Sequence, residues 1–164
     1  MDHSGDRQEL VRSLNSDHRA YVRFRNNTVR KVDVIWINYE GSRVKYRTLL
    51  PGQFFDANTY LSHPWMFRDS DTQDKLVVKS KEVFRPPPSV IRSVPNEGNA
   101  EPVRRLERTI VYITIPVYTL KERAMQVIRS YISQPDRVCQ LELPVALKNE
   151  LMSMMREHCV RRAV

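Results

Sequence analysis

Pro116-Val117-Tyr118-Thr119-Leu120-Lys121-Glu122-Arg123 is the stretch on which the reading of this chain turns, because it closes a β region and opens a helix within one short segment. Pro116 ends the strand-like run Thr109 to Val117, in which Val111, Ile113 and Ile115 line one face. Thr119 is an N-cap: its hydroxyl suits the backbone N–H of Glu122, whose carboxylate reaches back to the Thr119 N–H. Leu120, Ala124, Val127, Ile128 and Tyr131 then form one apolar stripe at helical spacing, predicting a helix over Thr119 to Ile132.

Upstream of the junction the period is two. Val22 and Phe24 share a face before Asn26-Asn27, as do Val34 and Trp36, with Ile35, Ile37 and Tyr39 on the other side. Glu40-Gly41 and Leu50-Pro51-Gly52 are turn signals, and short runs follow at Gln53 to Tyr60, Trp65 to Phe67 and Leu76 to Val78. Several short strands at this spacing predict an antiparallel β-sandwich. Residues 1–12 read as a flexible lead-in, 13–117 as the β domain, and 85–108, which holds Pro86-Pro87-Pro88, as a long loop within it. Downstream, Pro135-Asp136 ends the first helix and Pro144 opens another, in which Leu147, Leu151, Met154 and Met155 repeat the spacing. The expected architecture is mainly β plus α: a sandwich, then a domain of about three helices over 118–158, then a tail at 159–164. So few helical residues make a poor independent core, which directs their apolar surface toward a partner.

The 164 residues carry 27 Lys and Arg against 19 Asp and Glu, a net charge of +8 that favours an acidic partner. The cations are scattered rather than blocked, which argues against direct nucleic-acid binding. Cys139 and Cys159 are the only cysteines, too few for a disulfide scaffold or zinc cluster, and reduced thiols point to the cytosol or nucleus. No apolar run reaches the ~18 residues of a membrane span. His3, His18, His63 and His158 lack metal-ligand spacing, and no phosphate loop, nucleophile elbow or zinc-protease motif occurs, so neither an enzyme, a metal nor a cofactor is expected.

Trp36, Tyr46, Thr59, His63 and Trp65 form the constellation with the most chemistry. Converging, they would enclose a ring-shaped ligand that carries a hydroxyl; alternatively the indoles are core and His63 sits in a loop. The helical stripe likewise reads either as an interface or as packing on the chain's own sheet.

These segments resemble the von Hippel-Lindau tumour suppressor family. The resemblance runs from Arg12-Ser13-Leu14-Asn15-Ser16 to Met155, and its sharpest pieces are Trp36-Ile37-Asn38-Tyr39, Tyr46-Arg47-Thr48-Leu49, Leu50-Pro51-Gly52, His63-Pro64-Trp65-Met66-Phe67-Arg68-Asp69 and the junction at 116–123. It implies the substrate-recognition subunit of a cullin–RING ubiquitin ligase, in the cytoplasm and nucleus, that binds the prolyl-hydroxylated degron of the hypoxia-inducible factor α subunit. By position, Trp36, Tyr46, Thr59, His63 and Trp65 would hold the hydroxyproline, and Asn15, Phe24, Tyr39, Arg47, Asn58 and Tyr60 would line the degron groove. Elongin C would dock on Thr119, Leu120, Arg123, Ala124, Val127, Ile128, Leu141, Leu143, Leu147 and Leu151, with Leu120 as anchor and elongin B joining. Leu143-Pro144 resembles the cullin-selecting box. The chain departs from the pattern at Ala124, where the family has Cys, and at Thr59, where it has Ser; Arg47, Phe55 and Asn58 differ at groove positions. Those departures motivate a second reading, an elongin-docked adaptor whose β domain takes an unhydroxylated protein.

Overall fold

The structure, a computed structural model, describes residues 10–94, 98 and 103–162, with backbone alone for 94, 103 and 157–162. The reading of a flexible lead-in therefore falls largely outside the described residues, as do residues 163 and 164. Among the described residues, ten strands precede the helices: β1 Arg19–Asn26, β2 Val32–Ile37, β3 Arg43–Leu49, β4 Phe54–Tyr60, β5 Trp65–Asp69, β6 Lys75–Leu76, β7 Val83–Phe84, β8 Val90–Val94, β9 Val103–Glu107 and β10 Thr109–Ile113. One sheet has the order β10-β1-β4, and the other has β3-β2-β5-β6 with β7 also on β5. Compact units lie on either side of the Pro116–Val117 junction.

Alternation decides which side chains become core. Val22 and Phe24 of β1, Ala57 of β4, and Val111 and Ile113 of β10 pack with Val32, Val34, Leu49, Trp65, Phe67 and Leu76 of the other sheet. Phe24 sits at the centre, with ring centroids 5.2 Å from both Trp65 and Phe67 and 5.8 Å from Phe84. The buried amide of Asn26 is satisfied by the turn that follows and by the end of β3: Nδ2 donates to the carbonyls of Arg30 (2.7 Å) and Leu49 (3.0 Å), and Oδ1 accepts from the Thr28 N–H (3.0 Å). At the β2–β3 turn, Gly41 takes φ +81°, which any side chain would resist, and Asn38 Oδ1 accepts from the N–H groups on both sides of it.

Three details differ from the sequence reading. The sheets are antiparallel except for β1 and β10, which pair in parallel, because the chain reaches β10 only after traversing the other sheet. Segment 85–108 is not all loop: β8 and β9 form a hairpin, with Val90 opposite Glu107 and Ile91 opposite Leu106. The three prolines end pairing before Ser89, but they place no restriction on Val90 and Ile91, whose branching favours extended backbone. The last strand stops at Ile113, and Ile115 is left exposed, since it precedes Pro116 and lies beyond the Val77–Thr114 bridge.

The helical unit comprises α1 Leu120–Tyr131, a 3-10 helix Pro135–Gln140 and α2 Val145–Arg162. The capping box forms as its spacing implies: Thr119 Oγ1 accepts from the Glu122 N–H at 3.2 Å, and Glu122 Oε2 accepts from the Thr119 N–H at 2.7 Å. A small core joins Met125, Val138, Leu151 and Met155, with Ile128, Ile132, Leu141 and Leu147 at its edge. Lys121 Nζ pairs with Glu150 at 2.8 Å, linking α1 to α2. The expected tail at 159–164 is helical through Arg162, since nothing after Met155 breaks the helix.

Candidate functional site: an aromatic cluster in the β unit

Trp36 and Trp65 face each other directly in the β2–β5 register, so the alternation that buries Val34 and Phe67 also sets both indoles on one side of their sheet. Tyr46 reaches them because β3 is bulged. The register slips between Val34 and Ile35, which lie opposite Arg47 and Lys45, and Tyr46 is the extra residue between those two. Its ring is edge-on to both indoles, 6.2 Å from Trp36 and 5.1 Å from Trp65, while the side chain stays 53% exposed.

Thr59 arrives from the other sheet, near the end of β4, buried, and its Oγ1 accepts from Trp65 Nε1 at 3.1 Å. That bond joins the two sheets. His63, in the β4–β5 connection, is 7% exposed, with its ring 5.2 Å from Trp36 and 5.0 Å from Tyr60. Burial pushes its pKa below the ordinary value, against the opposing pull of a hydrogen bond to the Asn15 backbone, so the imidazole is neutral at pH 7. All five residues thus form one cluster. The core reading also holds in part, because Trp65 is buried and packs on Phe24.

Serines hold this cluster in place. Ser13 Oγ accepts from Trp36 Nε1 at 2.9 Å and donates to the Ile37 carbonyl at 2.7 Å. Ser16 Oγ lies 2.7 Å from the Tyr39 hydroxyl, which in turn is 3.2 Å from His63 Nε2. Ser62 Oγ donates to the Asn15 carbonyl at 2.6 Å and accepts from the Asn15 N–H at 3.1 Å. None of the three was singled out by residue type or spacing. Their partners are 23 to 47 residues away, and a serine carries no periodic signal.

Of the flanking positions, Asn15, Tyr39 and Tyr60 touch His63, and Arg47 is exposed on β3 next to Tyr46. Phe24 cannot line a groove, for it is 0% exposed and supports Trp65 from the core side. Asn58 is also displaced from the cluster: strand alternation turns it away from Thr59 onto the outer sheet face, where its Oδ1 accepts from Arg108 Nη2 at 2.8 Å.

On the helical unit, Leu120 is 87% exposed, and Ala124, Val127 and Tyr131 are exposed beside it. The single stripe read from the sequence is divided, because Ile128 turns instead toward the helical core with Met125 and Ile132. Leu141 and Leu147 are partly buried in that core, and Leu143 is half-buried next to exposed Pro144. Leu151, at 0% exposure, is closed off within the unit and presents no surface. Thr119 is committed to the cap, and Arg123 Nη1 donates to Gln126 Oε1 at 2.9 Å. Among the described residues no helix is long and apolar enough to cross a membrane, and no cluster of His, Cys, Asp or Glu is placed to hold a metal ion.

Residues 11–91, which contain every member of the aromatic cluster, match the VHL beta domain family. Those residues carry a VHL beta domain. Protein Vhl of Drosophila melanogaster is 28% identical over 156 residues, covering 92% of this chain and 85% of that protein, a span too long to be confined to the β unit. That similarity supports a VHL-type substrate-recognition adaptor.

Proposed function

We propose that the β unit reads a prolyl-hydroxylated degron of the hypoxia-inducible factor α subunit and that the helical unit joins it to elongin C, elongin B, a cullin and a RING protein, in the cytoplasm and nucleus. The observation that carries the reading is that a buried hydroxyl, Thr59 on Trp65, and a buried imidazole, His63 on Trp36, belong to one aromatic cluster with Tyr46, in which the two indoles face each other. Thr59 Oγ1 already accepts from Trp65, so its own proton is left to donate. His63 gives a ring N–H to the Asn15 backbone, which leaves Nε2 as an acceptor. A 4-hydroxyl entering there would accept from Thr59 and donate to Nε2 in place of the Tyr39 hydroxyl, whereas unmodified proline would leave the Thr59 proton desolvated and unpaired. Sites built this way reject the analogue by as much as ~10⁴-fold.

The net charge of +8 suits an acidic degron. Leu120, exposed at the start of a capped helix with Ala124 and Val127 beside it, suits insertion into an elongin C pocket, and Leu143-Pro144 resembles the cullin-selecting box. Titrating an acidic degron peptide with and without the 4-hydroxyl tests the first half: strong preference for the hydroxylated form is expected, and equal affinities would overturn it. Co-purification of elongin C with the chain, lost in Leu120→Asp, tests the second.

The Tyr39 hydroxyl, which already occupies His63 Nε2, favours the second reading, an unhydroxylated protein partner on the same docked adaptor. A set of captured partners unchanged when prolyl hydroxylases are inhibited would favour it over the first.

A further inference from the structure

The outer face of the three-stranded sheet is unlike the rest of the β unit. Along β1 it presents Arg19, Tyr21, Arg23 and Arg25; Arg23 lies between Asp56 of β4 and Ile110 of β10, and Arg25 between Phe54 and Tyr112. Phe54, Ile110 and Tyr112 are each about half exposed. Asp56 is the one carboxylate in this register, and it is taken: Arg23 Nε and Nη2 donate to it at 2.6 and 2.8 Å, and Arg108 Nε lies 3.6 Å away. Arg25 has no carboxylate partner among the described residues. Four arginines therefore face solvent against one neutralised aspartate, with three large apolar side chains between them.

We propose that this face docks an acidic amphipathic helix of a partner protein. Three strands span ~10 Å, the width of one helix, so a single helix laid on the sheet would cover Phe54, Ile110 and Tyr112 with its apolar stripe and bring carboxylates to Arg25 and Arg19. A second copy of the chain would bring arginines against arginines. Single-stranded nucleic acid needs open rings for stacking, but Phe54 lies under the Arg23 guanidinium at 4.1 Å and Tyr21 under Arg108 at 5.7 Å.

The test uses the full chain and three probes: a labelled amphipathic peptide of Leu and Glu, roughly 18 residues long so that it forms a helix; the same peptide with Lys for Glu; and an oligouridylate of about a dozen nucleotides. The Glu peptide is expected to bind and to move amide resonances of β1, β4 and β10. Arg25→Glu should weaken that binding about tenfold or more, and Tyr112→Ser several-fold. Both side chains are exposed, so neither change threatens the fold, and both variants should still bind the hydroxylated degron peptide unchanged. The proposal is overturned by equal binding of the Lys peptide, undiminished binding to Arg25→Glu, resonance changes confined to the aromatic cluster or the helical unit, oligouridylate displacing the Glu peptide, or self-association through this face.

Discussion

Trp65 and Leu120 are both large apolar side chains, yet one is 3% exposed and the other 87%. The β unit fixes its aromatic cluster through its own contacts: the indoles are held through Thr59, Ser13 and the bulge at Tyr46, so a ligand taken there would demand little reordering. The helical unit keeps a covered core on one arc of α1 and leaves a second apolar arc, about a quarter turn round, with no cover in the described chain. Under the proposed function the aromatic cluster would discriminate between ligands and the open arc would be covered by a partner. The same chain therefore combines a cluster fixed by its own hydrogen bonds with an apolar arc left uncovered.

The largest effects should come from confusing the two arcs of α1 and its neighbours. Leu151→Ala empties the helical core and should cost about 2–5 kcal/mol in urea denaturation, while Leu120→Ala, on the open arc, should stay within about 0.5 kcal/mol. In elongin C co-purification the order reverses for Leu120→Asp, which should lose the partner with its own fold intact. If Leu120→Asp unfolds the helical unit instead, the contrast between core and open arc is wrong.

Next in size is His63→Ala. Removing the imidazole leaves an entering hydroxyl with only Thr59, and preference for the hydroxylated peptide should fall by about 1–3 kcal/mol. Ser13→Ala is milder: Trp36 Nε1 and the Ile37 carbonyl each lose a partner, so hydroxylated-peptide affinity should drop by about 1 kcal/mol, read by the same titration. An unchanged affinity would mean that the Trp36 wall does not depend on the serine.

The comparison also explains what the sequence disclosed. Local features were legible: the Thr119–Glu122 box lies within one turn, and the alternation from Val32 to Ile37 put Trp36 on the core side. The convergence of five residues rested on more than alternation, because it requires the one-residue slip at Tyr46 and a hydrogen bond between sheets. Neither leaves a trace in a linear pattern. Periodicity marks α1 as amphipathic but not which of two neighbouring apolar arcs is covered, so it gives no signal for Met125, and the resemblance assigns to a docking surface a residue of α2, Leu151, that the helical core encloses. Position-by-position resemblance placed Phe24 in the groove, where it lies behind Trp65.

The smallest effect, and the sharpest check on preorganisation, is the response to acid. Burial lowers the folded-state pKa of His63 from 6.5. Above pH 6.5 both folded and unfolded chains hold the imidazole neutral, and pH has no leverage through it. As pH falls below 6.5 the unfolded chain takes up the proton first, so stability should decline by at most ~1.4 kcal/mol per pH unit until the folded pKa is reached. His63→Asn should remove that portion of the slope, and the difference between the two urea-denaturation profiles isolates it from the other titrating groups. Hydroxylated-peptide affinity should follow the same course, level above neutrality and falling in acid, since protonation removes the acceptor at Nε2. Affinity rising as pH drops from 7 to 5.5 would mean that His63 works as a cation, and the neutral donor–acceptor pairing with Thr59 would have to be abandoned.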